Sequence, residues 1–308
     1  MADESNNSST YNFYPWVCPE AFAEPVEGLP FNVAKDNFSR GPIVLHSHDF
    51  IEIAMITNGK GIYKTPDAEF PIRRGDIFLI PKGNIHAYSP PGALEVMNLL
   101  IQDASVLKEF SELSAEPAMR CFLELEPLFR GQNNFQNRLH LDSEELNQLI
   151  FYWERIAQEL REREEFFRDM VHNLVRCFLS VLCRFCNQMQ GVGDQELLNL
   201  AKALRHIETQ YGSPITCPEL ARISGRNQKK FTKDFLQATG KTPANYLLTF
   251  RLKKACEKLA NTDIPIQIIA QKCGFCDASH FGQQFQRHFN LTPSAYRMQH
   301  QGTQDSMK

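Results

Sequence analysis

The sequence predicts a two-domain α+β protein: an N-terminal β-barrel carrying a helical hairpin, then an all-α domain of two helix-turn-helix modules. Three observations predict it. Short apolar runs separated by turn residues extend from about Tyr11 to Gln102, the apolar period changes to three and four residues after Ser143, and a pattern beginning at Leu220 recurs 49 to 50 residues later. A chain of 308 residues, 43% hydrophobic and 22% charged, can form two ordinary hydrophobic cores.

The start, MADESNNSST, is polar and acidic where a signal peptide would be basic and then apolar, and no run of 18 apolar residues follows. A cytoplasmic protein with no membrane segment is expected, its residues 1–10 a disordered tail. The first domain, 11–142, holds the strand-like runs IEIAMIT, DIFLIP and LEVMNLLI, punctuated by NGKG, TPD, RRGD and PKGN. That turn density suggests a barrel or sandwich.

Leu146, Leu149, Ile150, Trp153, Ile156, Ala157 and Leu160 then fall on one face of a helix. REREE breaks it, and a second helix over about 166–189 puts Met170, Val171, Leu174, Phe178, Leu182 and Phe185 on its richer face. This hairpin, 143–190, is a candidate dimer contact, and packing on its own barrel is the alternative. GVGD, with two glycines in four residues, reads as a linker over 191–195.

Charge changes sign at the same place. Residues 195–308 carry 16 Lys+Arg against 8 Asp+Glu, a net of +8, while residues 1–194 carry 17 against 28, a net of −11. One half can meet a polyanion and the other would be repelled by it. The nine cysteines are odd in number and scattered, which suits reduced thiols. Cys183-x-x-Cys186 is read as core, and in Cys273-x-x-Cys276 the first takes a packing position and the second begins the next helix, since no second pair lies at zinc spacing.

Within the all-α domain, 196–300, Leu220-Ala221 matches Ile269-Ala270, and Phe231, Phe235 and Thr242-Pro243-x-x-Tyr246 match Phe281, Phe285 and Thr292-Pro293-x-x-Tyr296. In each copy a short helix reaches a glycine, Gly225 or Gly274, able to take the left-handed conformation that ends a helix tightly. In the next helix two phenylalanines four apart form the buried face, and Thr-Pro then caps a third.

GFCDASHFGQQFQRHFNLTPSAYR, at 274–297, resembles the signature of the AraC/XylS family of bacterial transcription regulators, and the likeness covers the whole repeated block. The resemblance implies seven helices, with two recognition helices entering successive major grooves about 34 Å apart. By motif position it assigns base contacts to Lys229, Thr232 and Lys233 in the first module and to Ser279 and Gln283 in the second. Lys230, pointing elsewhere, His280 and Arg287 complete the DNA-binding set. Lysines that touch phosphate alone are the alternative. Gln283 stands where many relatives have Arg, which suits adenine or weak binding. Arg226 departs from the pattern, because an apolar residue is usual there.

In the first domain, HSHDFIE at 46–52 gives His46, His48, Phe50 and Glu52 one parity, so that in a strand they line one face. Gly59 and Gly75-x5-Pro81-x-Gly83-x2-His86 follow. These elements resemble the two motifs of the cupin superfamily, with Gly41 one residue closer to His46 than usual. The resemblance implies an effector pocket of His46, His48, Glu52 and His86 with no cofactor. The alternative is a metal ion, Zn, Mn, Ni or Fe, on the same four residues. LELEPLFR, at 123–130, and the hairpin after it resemble the rhamnose-type regulators of the family. The expected partners are promoter DNA, a small-molecule effector with a sugar favoured, RNA polymerase and a second copy of the chain. A cupin metalloenzyme with a helical appendage, and a DNA-binding protein whose barrel only dimerises, are the competing readings.

Overall fold

The computed structural model describes residues 26–38, 45–89, 92–102, 105–131, 138–188 and 192–301. The expected 1–10 tail and Gly41 lie outside them. The chain divides into two units, Met1–Leu197 and Leu198–Lys308.

The first unit is antiparallel: β1 (Phe31–Asn37), β2 (Ile51–Lys64), β3 (Glu69–Arg73), β4 (Asp76–Ile80), β5 (Ala87–Ser89), β6 (Leu94–Ile101) and β7 (Leu139–His140). The first half of β2 lies between β6 and β4, in the order β1-β6-β2-β4-β7, and its second half pairs with β3 and β5. One 14-residue strand therefore runs through both sheets. This corrects the expected turn at NGKG: the chain continues as strand through an irregularity between Ile56 and Asn58. Gly59 is required there, because at φ +81° a Cβ would stand 2.0 Å from the Ala93 carbonyl oxygen.

Directly opposed residues of an antiparallel ladder share a face. Glu52 opposes Leu100 and Ile80, Ala54 opposes Asn98 and Phe78, and Val96 opposes Asp36 and Ile56. This inward face meets Phe38, Tyr63, Phe70 and Tyr88 in one buried cluster. The other face buries Ile53, Met55 and Leu99, and above it Trp153 donates its indole N–H to the Asn98 carbonyl at 2.9 Å.

After β6 come short helical turns: a 3-10 turn (Val106–Phe110), α1 (Ser111–Ser114), α2 (Pro117–Arg120), a π-helical turn (Cys121–Leu125) and α3 (Glu126–Phe129). The hairpin follows as α4 (Ser143–Glu162) and α5 (Phe167–Gln188). Asp142 and Glu145 form a reciprocal capping box at the start of α4, a feature worth about 1 kcal/mol. The α5 stripe is Val171, Val175, Phe178, Leu179 and Leu182, with Cys183 and Cys186 buried beside it, while Met170 is 41% exposed. It packs against α4 and the short helices of its own unit.

The expected linker at 191–195 is corrected as well, since helix α6 (Val192–Gln210) begins inside it. A helical glycine costs about 1 kcal/mol, and burial of Leu200, Ala201, Leu204 and Ile207 along the same helix outweighs that. With α7 (Cys217–Ile223), α8 (Gln228–Thr239), α9 (Pro243–Asn261), α10 (Ile266–Lys272), α11 (Ala278–Phe289) and α12 (Pro293–Gln301), the described residues give the seven helices expected.

The two modules repeat in detail. Gly225 and Gly274 have φ of +63° and +79°, and the amides of Arg226 and Phe275 each bond the carbonyl five residues back, Ala221 and Ala270, at 3.0 Å. Asn227 and Asp277 cap α8 and α11, and Thr242 and Thr292 cap the helices after them. Tyr246 and Tyr296 each meet the second phenylalanine of their module edge-on, at 5.4 and 5.5 Å. The Thr-Pro-x-x-Tyr motif is thus the clamp that holds the recognition helix on its core.

Candidate functional site

On α8, Phe231, Asp234 and Phe235 are buried, whereas Lys229, Lys233 and Leu236 are exposed and Thr232 is half-buried on the opposite arc. Lys230 is also exposed but lies to one side of that arc. On α11, Phe281 and Phe285 are buried, while Ser279 and Gln283 share the outer arc and His280 and Arg287 flank it, all four exposed. Gln286 is a residue that motif reasoning missed; it is exposed on the arc of Ser279 and Gln283, and that helical spacing was the available signal. The outer arc of α8 carries two lysines and that of α11 carries neutral side chains, so the two helices offer DNA different chemistry.

Arg226 has a structural explanation. Its repeat partner in the second module is Phe275, which is buried against Phe281 with ring centroids 5.0 Å apart. In the first module the Arg226 side chain is buried too, and its Nε stands 2.8 Å from Oδ2 of Asp234. The residue fifty positions after Asp234 is the uncharged Gln284. A buried ion pair in one module thus occupies the place of an aromatic contact in the other.

In the barrel, His46 precedes the strand and exchanges two backbone hydrogen bonds with His86, both of 2.9 Å. His48 and Phe50 also lie before β2, their rings stacked 4.1 Å apart, so the expected single strand face from His46 to Glu52 is not formed. The turn still brings three side chains together. Glu52 Oε2 lies 2.8 Å from His48 Nε2 and 4.0 Å from His86 Nε2. The Nδ1 atoms of both histidines face backbone carbonyls, Phe50 for His48 and Asn84 for His86, which turns both Nε2 atoms toward the carboxylate. The His46 ring lies tilted against His86, with centroids 4.4 Å apart, and is not part of this triad of donor atoms.

Burial sets the electrostatics of His86 and Glu52. Burial holds the His86 imidazole down to about 4, against the opposing pull of Glu52, so it is neutral near pH 7. Burial alone would raise the Glu52 carboxyl, but the His48 contact and the His86, His48 and His46 imidazoles together bring it below the ordinary carboxylate value. The nearer imidazole to the Glu52 carboxylate is that of His48. Behind them burial raises the Tyr63 phenol to about 12, and Arg130 donates to its hydroxyl at 3.2 Å. Arg130 is also bound by both oxygens of Glu126, at 3.0 and 2.6 Å. LELEPLFR thus delivers a neutralised ion pair to the barrel.

His48, Glu52 and His86 fit a divalent ion in number and chemistry, two nitrogens and an oxygen within 4.8 Å of one another. Such an ion would supply Lewis-acid contact to a ligand oxygen. His46 is not among the donor atoms gathered within that distance.

An antiparallel strand unit holding the His48–Glu52–His86 cluster, followed in the chain by two helix-turn-helix modules whose outer arcs are exposed, defines the class of ligand-binding transcription regulators. Comparison with known proteins agrees. A model described as an AraC-like ligand binding domain matches residues 38–150, and one described as a helix-turn-helix domain matches residues 220–299, together well over half of the chain. The chain belongs to the AraC/XylS family of transcription regulators. It is similar to the HTH-type transcriptional activator RhaR of Mannheimia succiniciproducens, with 27% identity over 273 residues that cover 88% of this chain and 92% of the relative. The HTH-type transcriptional activator RhaS of Pectobacterium atrosepticum is 26% identical over 257 residues, 82% and 87% of the two chains. A solved AraC-type DNA-binding regulator from Chromobacterium violaceum is 30% identical, covering 33% of this chain and 91% of that one, with a TM-score of 0.32.

Proposed function

We propose that the chain is an effector-responsive activator of transcription that binds promoter DNA through α8 and α11 and senses a small metabolite, with a sugar favoured, in the barrel. One observation carries the reading: two recognition helices with exposed polar arcs lie in the half of the sequence whose net charge is +8, after an acidic half with a buried polar cluster. Lys229, Thr232 and Lys233 read bases in the first module and Ser279 and Gln283 in the second, with Lys230, His280 and Arg287 on the backbone. Recruitment of RNA polymerase, a homodimer and a cytoplasmic location belong to the same reading. So does the absence of catalysis, since neither the duplicated module nor the charge split serves an enzyme. No helix among the described residues is long and apolar enough to cross a membrane.

Lys233→Ala tests the base-reading assignment. On a site selected from random duplexes the variant should lose about 1–3 kcal/mol of discrimination, and less than that on random DNA. Equal losses on both would move Lys233 to the phosphate class.

The His48–Glu52–His86 cluster is proposed as a metal-free pocket wall, because the Glu52 carboxylate already lies 2.8 Å from His48 Nε2. Elemental analysis of protein purified without added metal should find far less than one equivalent of Zn, Mn, Ni or Fe. One equivalent in the parent, lost in His86→Ala, would establish a metal centre instead.

A further inference from the structure

Polar groups remain in the barrel interior that the histidine cluster does not use. Asp36 on β1, Tyr88 on β5 and Asn98 on β6 are 8%, 2% and 4% exposed. Asp36 opposes Val96, and Asn98 opposes Ala34 and Ala54, so both belong to the inward face that also bears Glu52. Asn98 Nδ2 donates to Asp36 Oδ2 at 3.1 Å. The Asn98 Oδ1 atom and the Tyr88 hydroxyl then have no hydrogen-bond partner among the described residues. A buried polar atom without a partner costs about 1–3 kcal/mol, and native interiors keep few of them without a reason in function.

Tyr88 connects this group to the histidines. Its ring stacks on Phe38 at 5.3 Å and meets His86 edge-on at 6.0 Å and Tyr63 at 5.8 Å. Burial raises its phenol well above the ordinary value, and the Glu52 and Asp36 carboxylates add to the effect, so both act on the same hydroxyl.

Charge selects the ligand. The buried guanidinium bordering this interior, Arg130, is taken up by Glu126. The polar groups that face inward are two carboxylates, an amide oxygen, a phenol and the His48 and His86 imidazoles beside Glu52. Sugar hydroxyls can donate to the oxygens and accept from Tyr88, whereas an organic acid would bring a third negative charge beside Asp36 and Glu52.

We infer that Asp36, Tyr88 and Asn98 form a second, hydroxyl-binding part of the effector site, and that it makes the protein take a neutral monosaccharide in preference to the matching sugar acid. The inference rests on the barrel interior being the effector pocket. Calorimetric titration and thermal unfolding of the full chain with neutral pentoses and hexoses, and with their aldonic and uronic acids, test it. A neutral sugar should bind at least about tenfold more tightly than its acid. Tyr88→Phe should leave the ligand-free unfolding midpoint at or above the parent's, because it removes an unpartnered hydroxyl, yet weaken that sugar roughly 3- to 10-fold. Asp36→Asn, which keeps the side-chain shape, should weaken it about 10- to 100-fold. Binding lost in His48→Ala but unchanged in both of these variants would overturn the second wall and leave the pocket standing. Binding unchanged in all three would overturn the pocket as well. Tighter binding of the acids, or no response to any neutral sugar, would overturn the ligand class.

Discussion

Arg226→Ala should destabilise the C-terminal unit by about 3 kcal/mol, since it leaves the Asp234 carboxylate buried without its charge partner. The second module shows how the same place is filled without charge, with Phe275 at the arginine's position and Gln284 at the aspartate's. Arg226→Phe combined with Asp234→Gln should therefore recover most of the lost stability, although each change alone is damaging. Calorimetric unfolding of the four proteins gives the coupling between the sites directly. If the single changes each cost less than about 0.5 kcal/mol, the pair behaves as an exposed salt bridge and the packing account of Arg226 is wrong.

How much could be read from the sequence follows from how local each feature is. The helix-turn-helix repeat was legible because its signals lie within a few residues of one another: phenylalanines four apart, a glycine at the turn, Thr-Pro before the next helix. Arg226 was recognised as unusual, but its partner Asp234 was not, because pairing them requires knowing which side of α8 faces inward. The hairpin's apolar stripe was equally local, and of its residues Met170 is exposed while Ile150 and Leu174 are half-buried.

Sheet features were less legible. NGKG has the composition of a turn, and nothing nearby in sequence reveals that Ala93, 34 residues later, presses on Gly59 while β2 continues into the second sheet. His46, His48, Glu52 and His86 came from motif spacing, whereas the parity argument that joined His46, His48, Phe50 and Glu52 on one strand face failed because β2 begins only at Ile51. Asp36, Tyr88 and Asn98 stand on three strands, and only the registers of β1, β2 and β6 place two of them on the face that bears Glu52. GVGD misled for a different reason. Glycine propensity is a weak preference, and the buried face of α6 overrides it.

The central claim is that the basic half holds DNA by its phosphates while the helix arcs read bases, and the salt dependence of affinity measures the first part. With six or more phosphates engaged, the affinity of the full chain for duplex DNA should fall by about 10³-fold or more between roughly 50 and 200 mM salt, linearly in a log–log plot. Lys230→Ala should lower that slope by about one unit while weakening all sequences alike, as a backbone contact would. Affinity that does not change with salt, or that survives removal of residues 198–308, would contradict the account.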